Sequence, residues 1–290
     1  MSNALYLLGF SPMLYSRDAE FASECEYYDP ETLALAELFG IERLQAGPVF
    51  AWFKRVDRAD FEGEAGERNL SDINWLTPRV MAHDHAIGQL NKQSTFYPAR
   101  FGTLFSTDEA LSSFTISATP TLVEFFRMVK GKQEWGIKLF GNYAYAAQKK
   151  AHESGILQKG APLKGANYLK LKQMQRDLSQ LGGDAFQATL EMAICSIQQV
   201  FPTIKRRPIK APSEGDSSEK LLASVAILEA IDNADVIATW VERWNCDSEI
   251  QAGIRLEISG PWPAYTFCPT LNLVDPMNAD ANMTAERGAA

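Results

Sequence analysis

Residues 134–140 read Glu134-Trp135-Gly136-Ile137-Lys138-Leu139-Phe140, with Trp135, Ile137 and Leu139 alternating with Glu134, Gly136 and Lys138. A period of two marks a strand that buries one face. Downstream, Leu171, Met174, Leu178 and Leu181 recur at helical spacing, and Phe186, Leu190, Ala193, Ile197 and Val200 form a second stripe beyond Gly182-Gly183. A strand near 201–209, a polar loop at 213–219 and a strand at 221–231 follow. Asp232 or Asn233 can cap a helix carrying Ile237, Trp240, Val241 and Trp244. A last strand at 250–259 alternates through Ile254, Leu256 and Ile258. From residue 134 the order is therefore strand, helix, strand, strand, helix, strand, the split βαβ or ferredoxin-like pattern.

Upstream the signals are mixed. The apolar run 4–10 reads as a strand, 30–39 as a helix stopping at Gly40, and 41–45 with 49–56 as a hairpin around Ala46-Gly47-Pro48. The charged stretch 57–68 reads as a solvated loop or loose helix. Ile73, Leu76, Val80, His83, Ile87 and Leu90 then step by three and four, an amphipathic helix with one buried stripe. After an extended stretch at 96–105, Ser106-Thr107-Asp108-Glu109 reads as an S-x-x-E capping box. Pro120 is expected to restart that helix, whose buried face is Leu122, Phe125, Phe126 and Val129. The expected class is α+β with two domains: an N-terminal α+β domain over 1–130, a C-terminal ferredoxin-like domain with long helical segments over 131–274, and a disordered tail over 275–290.

The chain has 290 residues, 46% hydrophobic and 22% charged, which excludes a disordered chain. Its net charge of -8 disfavours a nucleic-acid binder working through a basic surface. The charge is unevenly placed. Residues 1–72 hold 14 acids and 6 bases, whereas 127–176 hold 11 bases and only Glu134 and Glu153 as acids. Such polarity reads as docking surfaces for each other or for partners of opposite charge. Cys25, Cys195, Cys246 and Cys268 lie far apart, with neither a C-x-x-C pair nor zinc spacing, and read as reduced, mostly buried thiols of a cytoplasmic protein. The N-terminal apolar run is too short for a signal peptide, and no run approaches the ~20 residues of a membrane span.

No phosphate loop, nucleophile elbow or metalloprotease helix is present. His83 and His85 sit two apart on a helix and cannot share a metal. His83 reads first as a hydrogen-bonded core histidine, and adjacent Asp84 points elsewhere around the helix. Glu134 reads as a charge on the solvent side of its strand, or else as a carboxylate for catalysis. Arg100, directly before an apolar run, would need an ion-pair partner if buried and could otherwise hold an anion. The cluster Lys205-Arg206-Arg207-Pro208-Ile209-Lys210 could contact phosphate but, short and without interleaved aromatics, reads first as a solvated strand end or turn. No catalytic, cofactor or metal constellation emerges.

Four stretches stand out as aromatic and glycine-bearing: Arg100-Phe101-Gly102-Thr103-Leu104-Phe105 followed by Asp108-Glu109-Ala110-Leu111, then EWGIKLF at 134–140, then GANYLKLK at 165–172 with Lys170 and Lys172, and GPWPAYTF at 260–267. In that order and spacing they resemble the GvpF/GvpL family of gas vesicle proteins over roughly residues 4–268. The resemblance implies a two-domain α+β fold and a non-enzymatic role, without cofactor, as an accessory or minor structural protein of gas vesicle assembly in the cytoplasm. It also implies contact with the small hydrophobic shell protein GvpA and support of vesicle nucleation or formation. The motifs are common to F and L members. A ligand-binding regulatory α+β module without catalytic activity is the competing reading.

The same stretches make sense as architecture. Gly260-Pro261-Trp262-Pro263 is expected to end the last strand and fold Trp262, Tyr265 and Phe267 onto the core, each ring contributing roughly 1.5–3 kcal/mol. Gly102 and Gly136 are expected to let another element pass close to the backbone. Arg100, Phe101, Gly102, Glu134, Trp135, Gly136, Lys170, Lys172, Gly260, Pro261, Trp262, Pro263 and Tyr265 are therefore the candidate structural or interaction residues.

Overall fold

A computed structural model of the chain describes residues 3–13, 40–156, 165–181, 186–209, 219–247 and 253–271. The helix expected at 30–39 and the tail at 275–290 lie outside these residues, as do most of the loop at 213–219 and Cys25. The chain is a mixed α+β protein with two antiparallel sheets. It divides into two compact units: Met1–Gly131 together with Pro263–Ala290, and Lys132–Trp262. The described residues Pro263–Leu271 thus fall with the first unit.

In the first unit, β1 (Asn3–Pro12) is central, and its residues from Ala4 to Ser11 are all buried. Successive strand side chains point to opposite faces, so this burial requires cover on both. The hairpin partners β2 (Glu42–Ala46) and β3 (Val49–Asp57) form as expected, and the short strands β4 (Tyr97–Pro98) and β5 (Leu104–Phe105) pair β1 on its other edge. The stretch 57–68 takes the helical of the two forms expected for it. A 3₁₀ turn at Arg58–Asp60 leads into helix α1 (Gly63–Ser71), and α2 (Ile73–Gln93) follows with Asp72 capping the Asn74 N–H at 2.9 Å.

Only the C-terminal half of α2 packs as predicted: His83, Ala86, Ile87 and Leu90 are buried against Tyr6, Leu8, Phe50 and Trp52. Ile73 and Val80 are exposed, because the helix runs on past the sheet that its other half covers. Helix α3 (Asp108–Val129) packs on β1, β2 and β3. Its N-cap is Thr107, whose Oγ1 accepts the Ala110 N–H at 3.1 Å, one residue beyond the expected Ser106. Pro120 lies inside α3 rather than restarting it. Ile116 and Pro120 both lie on the exposed side of the helix, so the missing N–H at Pro120 is tolerated there.

The second unit is built on β6 (Lys132–Asn142), β7 (Ile204–Arg207), β8 (Glu219–Ala230) and β9 (Ile254–Trp262), in spatial order β7-β8-β6-β9. Trp135, Ile137 and Leu139 point with Val225, Ile227, Ile254 and Leu256 into one core. Helices α4 (Tyr143–Glu153), α5 (Ala166–Leu181), α6 (Gln187–Val200) and α7 (Ala234–Cys246) contribute Ala147, Leu171, Ile197 and Trp244 to it. Asn233 precedes α7 without capping it through its side chain; its amide donates instead to Glu229 at 3.0 Å. Among the described cysteines, Cys195 and Cys246 are exposed rather than buried.

Candidate functional site

In the first unit the polar centre is Tyr6 on β1 with His83 on α2. The Tyr6 hydroxyl meets His83 Nδ1 at 2.8 Å, and His83 Nε2 lies 3.2 Å from the Ala99 carbonyl. A carbonyl can only accept, so Nε2 carries the proton and the Tyr6 hydroxyl donates to the Nδ1 lone pair. Burial lowers the His83 pKa below its usual 6.5, against the opposing pull of the Ala99 carbonyl and of Asp84, while Lys54 adds to the lowering. Burial also raises the Tyr6 pKa above the ordinary phenol range. Asp84 turns to another partner and accepts from the Tyr265 hydroxyl at 2.9 Å. His83 and Asp84 are thus both engaged, but not with each other.

The stretch Arg100–Phe105 is a turn serving this centre. Thr103 donates through its N–H and its hydroxyl to the Arg100 carbonyl, at 3.2 and 2.8 Å. Gly102 sits at φ +81 with open space where a side chain would be, so left-handed backbone rather than close approach explains it. Phe101 stands edge-on to Tyr6 and His83, with ring centroids 5.8 and 5.6 Å away. Arg100 is exposed, so the condition that would have demanded a buried partner does not arise. It lines a cavity of about 170 Å³ with Phe10, Tyr97, Phe114, Tyr265 and Cys268. Pro263 and Phe267 are buried, and the Tyr97 hydroxyl donates to the Pro269 carbonyl at 2.9 Å, so the segment after β9 is tied into the first unit.

In the second unit Glu134 is 1% exposed and ion-paired with Arg207 of β7. This overturns the expectation of a solvent-side carboxylate. The alternating strand does place Glu134 opposite Trp135, but its side of the sheet is buried there. Gly136 lets the pair form: a methyl group on it would lie 2.8 Å from Ser259 Oγ and 2.9 Å from Arg207 Nη1. Gly260 lies against the same strand, and a methyl there would come 3.1 Å from the Glu134 carbonyl. The prolines do not stop β9 before Trp262. The register shifts between Glu134↔Trp262 and Gly136↔Ser259, so Gly260-Pro261 form an irregularity on an edge strand, where a missing N–H is tolerated. Trp262 stays 42% exposed and Tyr265 is also exposed, and only Phe267 folds inward.

Lys170 and Lys172 stand apart from both groups, exposed on α5 beside Tyr168 and Leu169. Lys172 Nζ reaches Gln175 Oε1 at 3.3 Å, a local contact along the helix surface.

Comparison with known proteins decides the family. The family model described as "Gas vesicle synthesis protein GvpL/GvpF" matches residues 40–269. This chain belongs to the GvpL/GvpF family. "Gas vesicle protein L" of Streptomyces sp. (strain CB03234) is 22% identical over 227 residues, spanning 77% of this chain and 81% of its own. The crystal structure of the gas vesicle protein GvpF from Anabaena sp. PCC7120 is similar with a TM-score of 0.57 at 14% identity, covering 93% of this chain and 99% of that one. GvpF from Microcystis aeruginosa gives a TM-score of 0.52 at 13% identity, over 92% and 99%. At these identities the solved structures speak for the fold.

Within this GvpL/GvpF chain, the four motifs fall into three places. The 100–105 turn meets Tyr265 at the first-unit cavity, the 134–140 and 260–262 stretches pair as neighbouring strands, and 165–172 opens an exposed helix. Sequence reading missed Arg207 as the partner of Glu134, since 73 residues separate them and only strand pairing brings them together. It also missed that the N-terminal half of α2, with Ile73 and Val80 of the expected stripe, is exposed. Among the described residues no group of three or more metal-binding side chains occurs, and no helix is long and apolar enough to cross a membrane.

Proposed function

We propose that this chain is a non-enzymatic accessory or minor structural protein of gas vesicle assembly, working in the cytoplasm and at the vesicle by contacting the hydrophobic shell protein GvpA. The observation that carries this reading is the family match across residues 40–269. The surface we assign to shell contact is the exposed side of α5, where Tyr168 and Leu169 supply apolar area and Lys170 and Lys172 supply charge. The remaining motif residues, from Arg100 to Tyr265, act through the architecture that presents this surface. We also read the two units as two domains, the second ferredoxin-like; its β7-β8-β6-β9 order supports this.

A pull-down of the purified chain against each vesicle protein tests the proposal. Capture of GvpA that weakens with salt and is lost on Lys170→Glu/Lys172→Glu is the expected result; absence of GvpA capture at any salt overturns it. The first-unit cavity lined by Arg100 and Tyr265 favours a second reading, a ligand-binding regulatory module. A ligand-induced rise in melting temperature without any GvpA capture would choose that reading instead.

A further inference from the structure

The helices α1 and α2 form an apolar ridge rimmed by acid. From Ile73 to Ala82 every residue of α2 is exposed or half-buried. Positions 73, 77, 80, 81 and 84 share one side of a helix. Ile73 is 72% and Met81 67% exposed there, and Val80 and Leu70 of α1 are also exposed. Large apolar side chains grouped in this way mark an interaction surface. Glu64, Glu67 and Asp72 line a shallow hollow with Arg68 and Ser71 beside it, and Asp84 lies further along α2.

The complement is on the same chain. Helix α5 exposes Leu169 (69%) and Tyr168 next to Lys170, Lys172 and Arg176, with no acid before Asp177. One surface is apolar with carboxylates, the other apolar with cations.

We propose that the α1–α2 ridge of one molecule docks on the α5 face of a second copy. Ile73 and Met81 cover Tyr168 and Leu169, and Glu64, Glu67 and Asp72 oppose Lys170, Lys172 and Arg176. Apolar burial supplies the driving force and the opposed charges set orientation and partner choice. The two patches are different surfaces: two reciprocal contacts close a two-fold dimer, and single contacts leave one of each patch open and build rings or open chains. A shell subunit docking on α5 would compete with this self-association.

Sedimentation velocity on the purified full chain alone tests the idea, so its result stands apart from whether GvpA binds. Over a concentration series we expect a dimer or larger species at about 0.1 M salt, and at least about tenfold weaker association at about 1 M, where the Debye length falls from roughly 10 to 3 Å. Lys170→Glu/Lys172→Glu and Glu64→Lys/Glu67→Lys should each be monomeric, with circular dichroism unchanged. An equimolar mixture of the two, or all four changes in one chain, should assemble again because the charges are once more complementary. A chain that is monomeric at every concentration, a salt-insensitive species, or a mixture that stays monomeric overturns the proposal.

Discussion

Arg207 of β7 reaches over the bare Cα of Gly136 to ion-pair with Glu134 of β6, two strands away. Glu134 is almost fully buried while 27% of the Arg207 side chain reaches solvent. Removing one partner of a buried pair strands the other charge away from water, which costs roughly 3–5 kcal/mol. Arg207→Ala should therefore destabilise by about 3 kcal/mol, the low end of that range because of the partial exposure. Adding Glu134→Gln should recover part of the loss. Urea unfolding of the two single variants and the double variant checks this, and additive losses would contradict it.

Gly136→Ala places a methyl within 3 Å of both Ser259 Oγ and Arg207 Nη1. Both obstacles are side-chain ends, so the strands can stay paired at an overpacking cost of about 1–2 kcal/mol. Ser259→Ala should relieve part of that cost in the double variant. The shift in thermal midpoint is the readout.

His83 makes stability depend on pH. Its folded pKa lies below the 6.5 of the unfolded chain because burial disfavours the charged ring. The unfolded state therefore binds the proton first, and stability falls as pH drops below about 6.5, levelling off only under the folded value. The difference in unfolding free energy between about pH 8 and pH 5 should shrink in His83→Asn relative to the parent. An unchanged difference would contradict a neutral His83.

The Tyr97 hydroxyl ties the segment after β9 to β4 through the Pro269 carbonyl. Tyr97→Phe should cost about 1 kcal/mol and leave that carbonyl to water. Hydrogen exchange of residues 264–271 should quicken while that of β1 stays unchanged.

Thr107, not Ser106, caps α3. Thr107→Ala should cost about 1 kcal/mol and Ser106→Ala should be nearly neutral. The opposite ranking by thermal unfolding would restore the cap register expected from the S-x-x-E pattern.

The elements were legible wherever a local period repeats. EWGIKLF announces β6, the hairpin β2–β3 follows its turn, and the stripes of α5 to α7 carry the predicted buried residues Leu171, Ile197 and Val241. The family was legible too, because order and spacing of motifs are properties of the chain. Less legible was how far each element is covered. Ile73 and Val80 share a side with residues that would have looked equally buried, but exposure depends on whether a sheet lies beneath them. Pro120 and Pro261 obey their local chemistry and still sit within a helix and a strand, since an exposed helix side and a sheet edge supply the tolerance.

Composition and local periodicity were enough for the α+β class and the charge polarity, because each rests on residues near one another in the chain, and the order of four motifs carried the resemblance to the GvpL/GvpF family. The fate of individual charges was not available there. Glu134 is buried and paired, Arg100 is exposed at a cavity, and Lys170 and Lys172 stand beside exposed Leu169, because burial is a property of what folds over a residue from elsewhere. Strand pairing and helix overhang set those outcomes, and both arise from contacts between segments that lie tens of residues apart.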